Sequence, residues 1–179
     1  VGGAGATVGG WVEVGRTTLG SAGDTISITG LADKRYYMVL YHDIASGDTD
    51  PVIRFNNDSG TNYANRINVD GVEQSVQINT TLGAFGAPPS ESFQVGYVAN
   101  LTSKEKLFIS SSMNFNTAGA GYAPARRETV GKWANTSNAI DRMDLVNIAS
   151  GSFNTGSEMV VLGWSPDDTH ETTDNFWQE

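Results

Sequence analysis

From Trp11 onward, apolar and polar residues alternate over short stretches broken by Gly, Asn, Asp and Ser, the period of strands and not of helices. Trp11 to Arg16 sets Val12 and Val14 against Trp11 and Glu13, and Asp24 to Thr29 sets Ile26 and Ile28 against Thr25, Ser27 and Thr29. Each is a half-buried strand. The stretch Lys34 to Asp58 predicts a long strand, a polar loop around Gly47 and Asp48, and a second strand that starts at Pro51, where a missing N–H costs no ladder bond. In its first strand Tyr36, Met38, Leu40 and His42 share one face, and Tyr37, Val39, Tyr41 and Asp43 share the other. Both faces are largely apolar, as in a strand covered on two sides.

Asp70-Gly71 is the strongest local signal, because both residues accept the positive φ of a tight hairpin turn. That turn sets Val69 opposite Val72, Ile67 opposite Gln74 and Tyr63 opposite Ile78. Beyond the Ala-Pro-Pro loop, Phe93, Val95, Tyr97 and Ala99 form one face of a strand. Leu107, Ile109, Met113 and Phe115 form one face of the next, with Ser110, Ser112 and Asn114 on its other side. Arg127 to Ala134, Met143 to Ala149 and Met159 to Trp164 supply three more runs, the last apolar on both faces.

No window carries a convincing helical stripe; Ala139 to Ile148, the nearest, is short and β-branched. About ten short strands separated by turn residues predict an all-β, two-sheet antiparallel sandwich of jelly-roll type, with a closed barrel as the other solution. The sandwich spans 11–179, behind a glycine-rich arm at 1–10 (VGGAGATVGG), whose backbone costs much entropy to order. Such an arm is either a linker or a segment that orders against a neighbouring subunit.

Composition narrows the function classes. At 179 residues the chain can bury a core without staples, and it has no cysteine, which removes disulfides and zinc-thiolate sites. A net charge of −9, with basic residues paired only at Lys34/Arg35 and Arg126/Arg127, argues against nucleic acid. No run approaches the roughly 18 apolar residues of a membrane-spanning helix.

The candidate chemistry is sparse. His42 and His170 are the only histidines and no G-x-S-x-G elbow occurs, so the chain is expected not to be an enzyme. The acids are scattered at turns and strand ends, which gives no carboxylate pair for glycoside hydrolysis. Calcium suits loop oxygens better: Asp43, Asp48 and Asp50 are the first candidates, then Asn56, Asn57 and Asp58, then Asp167 and Asp168. Asn and Asp also fill turns for purely local reasons, and no cofactor is otherwise expected. Tyr37 and Tyr41, about 13 Å apart on one face, suit a core, a subunit interface or a platform that stacks sugars. N-x-S/T sequons fall at Asn57, Asn79, Asn100 and Asn135. Trp11-Val-Glu13 and Trp177-Gln-Glu179 echo one another near the two ends, as in units that assemble head to tail.

The strings WVEVGRTTLGSAGDTISITGL (11–31), RYYMVLYHDIASG (35–47), RFNNDSGTNYANR (54–66) and ETVGKWANTS (128–137) resemble β-sandwich modules in structural proteins of tailed phages, tail-fibre-like or capsid-decorating. The resemblance implies a virion structural protein that self-associates as a trimer, fibre or shell lattice, contacts other virion proteins and sits on a virion surface or outside a cell. It carries no catalytic residues. An extracellular filament subunit and a carbohydrate-binding module that holds a surface glycan are the alternatives; neither nucleic acid nor membrane insertion is expected.

Overall fold

The computed structural model describes residues 10–83, 91–114, 117–166 and 168. Within them lie thirteen strands: β1 (Val12–Thr18), β2 (Thr25–Thr29), β3 (Tyr36–Asp43), β4 (Ala45–Ser46), β5 (Pro51–Phe55), β6 (Tyr63–Val69), β7 (Val72–Asn79), β8 (Ser92–Ala99), β9 (Lys106–Asn114), β10 (Ala125–Trp133), β11 (Arg142–Asn147), β12 (Ser152–Phe153) and β13 (Glu158–Trp164). The antiparallel all-β sandwich that the alternation predicts is the observed architecture. Its layers are unequal: an eight-stranded sheet in the order β1-β13-β3-β8-β9-β10-β6-β7 faces a three-stranded sheet β2-β11-β5, with β12-β4 as a small third sheet. The finer jelly-roll arrangement stays an expectation from sequence.

The core lies between the two main sheets. Ile26, Ile28, Ile53, Phe55, Met143 and Leu145 of the small sheet pack in one cluster with Tyr37, Val39, Tyr41, Val98, Phe108, Trp133 and Val161 of the large one. Closure at the β1 edge depends on Gly15, where a Cβ would lie 2.3 Å from Ile28 Cγ2. The β1–β13 register also shifts between Glu13 and Gly15, and such a bulge bends an edge strand toward its neighbour layer.

The hairpin turn forms as predicted, with φ of 48° at Asp70 and 96° at Gly71, and Val69 opposite Val72 and Ile67 opposite Gln74. Its far end departs from expectation. Tyr63 pairs with Asn79 and not with Ile78, because the register shifts between Tyr63 and Asn65. Ile78 has a φ of 54° and stands exposed. That irregularity disrupts the free edge of β7, where an uninterrupted ladder would invite other chains.

Candidate interaction face of the large sheet

Strands β8 and β9 pack with their polarity reversed from the ordinary arrangement. Their apolar faces, Phe93, Val95, Tyr97 and Ala99 on β8 and Leu107, Ile109 and Met113 on β9, point away from the small sheet. Leu107, Ile109 and Tyr97 are 56%, 54% and 43% exposed. The opposite faces of the same strands point inward and are buried: Val98 and Phe108 join the core at one end, and Ser92, Gln94, Ser110, Ser112 and Asn114 make the rest polar.

Register assembles the outer residues into rows. Trp164, Tyr36, Ala99 and Leu107 lie side by side across four strands. The next row runs Leu162, Met38, Tyr97, Ile109, Val130, and the row after it Val160, Leu40, Val95. Phe93 beside Met113 closes the field. Charged residues surround it. Arg16 bridges Glu13 and Glu158 at 2.8 and 2.9 Å on the β1 side, and His42 pairs with Glu91 at 2.7 Å. Toward β7, Lys132 pairs with Glu105 at 2.8 Å and Arg66 pairs with Glu73. An apolar centre inside a polar rim is how protein interfaces are built.

At one end of the field the surface dips into a groove of about 360 Å³ with almost wholly apolar walls, formed by Trp11, Tyr36, Tyr97, Leu107, Ile109 and Trp164. The Tyr36 ring stacks on Trp164 at 5.5 Å and 15°, and Trp11 tilts against Trp164 at 6.4 Å. Arg35 lies 5.4 Å from the Tyr36 ring centre. Aromatic contacts fix these side chains before any partner arrives, which lowers the ordering cost of binding.

The inner side of β3, β8, β9 and β10 carries a polar seam. Asp43, Ser92 and Asn114 adjoin across the ladder, and beside them Tyr41, Gln94, Ser112 and Arg127. The Asp43 carboxylate accepts hydrogen bonds from the Ser92 amide at 3.1 Å and from its hydroxyl. Burial pushes the Asp43 carboxyl above the usual carboxylate range, against the lowering effect of those bonds. Burial raises the pKa of the Tyr41 hydroxyl strongly, and the charge of Asp43 adds to the rise. That hydroxyl makes no hydrogen bond of good geometry, and neither do Asp43 Oδ2, the two amide atoms of Gln94, Ser110 Oγ, Asn114 Oδ1 or Thr129 Oγ1. Each such group ordinarily costs about 1–3 kcal/mol.

The sequence candidates divide sharply. Tyr37 and Tyr41 are core residues, 0% and 1% exposed, so neither can form a surface platform. The Tyr37 hydroxyl donates within 2.8 Å of the Ala32 carbonyl, and burial is the main cause of its raised pKa. With both faces of β3 apolar, alternation alone could not choose the buried one; Tyr36 takes the surface role. Trp11 does reach the outer face, whereas Trp177, His170, Asp167, Phe115 and residues 1–9 of the arm lie outside the described residues.

Among the described residues no group of three or more acidic or histidine side chains is placed to hold a metal ion. Of the first calcium set, Asp43 points into the core while Asp48 is exposed, and the Asp50 amide is held by Asn147 Oδ1 at 2.8 Å. In the second, Asn56 Oδ1 accepts from the amides of Asp141 and Arg142, and Asp58 accepts from Trp133, Asn62 and Gly60. Asp168 of the third pairs with Lys34. The sequon at Asn100 is inaccessible: its side chain is buried and joins Lys34 O at 3.0 Å to the Ile140 amide at 3.0 Å.

The alternation of β8 and β9 was readable in the sequence, but nothing in either strand says which face turns inward. Compared with models of protein families, with curated proteins and with solved structures, the chain matches none.

Proposed function

We propose that this chain is a virion structural protein, a β-sandwich subunit that decorates a capsid or builds a fibre by associating with copies of itself. The observation that carries the reading is the outward apolar field on β3, β8, β9 and β13, with Tyr97, Leu107 and Ile109 at its centre. Large exposed apolar patches rimmed by polar residues mark interaction surfaces, and a monomer in water gains nothing from this one. The resemblance of 11–31, 35–47, 54–66 and 128–137 to modules of tailed-phage structural proteins supports the virion setting.

The test is the mass and shape of the native protein, by light scattering with electron microscopy of the same fractions. Trimers, fibres or decorated particles are the expected result. A strict monomer at high concentration would sink the reading.

One observation favours a second reading, a carbohydrate-binding module. Tyr36, Tyr97, Trp11 and Trp164 line the apolar groove, and aromatic faces of this kind stack on sugar rings. A glycan array with hits that vanish in Tyr36→Ala and Tyr97→Ala would establish it, and an array without hits would dismiss it.

A further inference from the structure

We infer that the occupant of the outer face is a second copy of this chain, laid sheet against sheet so that the same field buries itself on both partners. The inference rests on the self-assembly reading and adds the surface and the symmetry to it. Three features select this occupant.

The first is extent. The field runs across β13, β3, β8, β9 and part of β10, and the groove is only its end. A small ligand in the groove would leave Phe93, Met113 and Val130 as exposed as before. Summed over the field, the exposed apolar surface is on the order of several hundred Å², near the ~800 Å² per partner of a standard interface. It also reaches the upper range of apolar patches on monomers.

The second is shape. The field lies on the pleated face of one continuous sheet, and such faces stack about 10 Å apart with side chains interdigitated. A pleated, regularly twisted surface of this kind is matched by another of the same kind. The groove at the Trp164 end and the projecting Phe93 at the other end give one surface both a hollow and a knob. A two-fold axis lying across the strands sets each against the other, which is the self-complementarity an isologous contact requires.

The third is charge. The chain carries −9 overall, so an unselected contact between copies is repulsive. The centre of the field is apolar, and acids and bases mix along its rim: Glu13, Arg16 and Glu158 on one side, Arg66, Glu73, Lys132, Glu105 and the exposed Glu128 on the other. Most of the rim acids are already paired with a base of the same copy, which softens the repulsion between two copies. A nucleic acid or an anionic surface finds no cationic field here.

The test is sedimentation of the full chain over a wide concentration range, with circular dichroism to confirm the fold of each variant. Ile109→Arg puts a charge at the centre of the field, and Tyr97→Ser removes a ring without adding charge. Gln74→Arg, on β7 outside the field, is the control. The expected result is a self-associating wild type, a dissociation constant raised by about 100-fold or more in the two field variants, and no change in the control. Association that survives both field variants would place the contact elsewhere and overturn this inference while leaving the self-assembly reading intact. A wild type that stays monomeric at every concentration would overturn both.

Discussion

The indole Nε1 of Trp133 donates a 2.7 Å hydrogen bond to Asp58 Oδ2 across 75 residues of sequence. This contact joins the end of β10 to the turn that links the small sheet to β6. Tyr63 stacks on the same indole at 6.2 Å and 16°, and Phe55 tilts against it at 5.9 Å. Above the ring, Lys106 sits fully buried with its ammonium donating to the carbonyls of Thr102, Lys104 and Asn135, 5.7 Å from the ring centre. One carboxylate thus satisfies the only polar atom of the largest buried side chain in the core.

Asp58→Ala therefore leaves the Trp133 N–H without its acceptor, and a loss of about 1–3 kcal/mol in urea unfolding is expected. The pH dependence has a definite sign. Burial tends to raise the Asp58 pKa, but its bonds from Trp133, Asn62 and Gly60 together bring it below the usual carboxylate range. A depressed folded pKa gives stability that is present above the unfolded value, about 4, and lost as pH falls through the folded value. The variant should lack this acid loss; a wild-type-like acid transition in Asp58→Ala would refute the assignment.

Asp43 behaves in the opposite direction. Its carboxyl is raised by burial, so below neutral pH the fold holds a proton there more tightly than the unfolded chain does. This group's contribution grows as pH falls from above its folded pKa toward the unfolded value. Asp43→Asn keeps an oxygen for the Ser92 amide and removes the buried charge. Higher stability at pH 7 and a flatter profile on the acid side are expected from unfolding curves at several pH values. Lower stability at pH 7 would show that the bonds from Ser92 to the carboxylate outweigh the cost of burying its charge.

How much of this was legible beforehand depended on whether a strand's two faces differ in the usual sense. Asp24 to Thr29 and Asp70-Gly71 announced themselves, because Ile26 and Ile28 have one place to go and few residue pairs accept that turn. Lys34 to Asp58 announced a strand but not its inner face, and Tyr37 and Tyr41 were open to three roles until packing buried them. The strands β8 and β9 were found and their alternation was correct, yet the natural guess puts Phe93 and Ile109 inside. Tertiary context decides such a case, since alternation fixes two faces and the layer above fixes which one is buried. The slip at Ile78 was hidden for another reason: a bulge is a backbone event, with no side-chain pattern of its own.

Gly15 offers a check on layer closure. Gly15→Ala places a methyl 2.3 Å from Ile28 Cγ2, so β1 must move off β2 or Ile28 must leave its rotamer. Overpacking of this kind costs about 1–3 kcal/mol. Gly20, which has open space around it, is the matched control. Equal melting temperatures for Gly15→Ala and Gly20→Ala would mean that β1 does not lie as close to the small sheet as described.

Thr129 and Val130 are neighbours on β10 that point to opposite sides of the large sheet, and each contradicts its surroundings. The Thr129 hydroxyl is buried at 1% exposure with no partner, while Val130 stands 52% exposed. Thr129→Val keeps the shape of the side chain and removes the orphan hydroxyl, so stability should rise by about 1 kcal/mol or more. Val130→Thr should leave stability within about 0.5 kcal/mol, as surface changes do, but weaken association between copies by removing apolar area from the field. Thermal melts read the first and sedimentation the second. If Thr129→Val destabilises, the hydroxyl is bonded in the native state and the inner seam is satisfied; if Val130→Thr associates as the wild type does, β10 lies outside the contact.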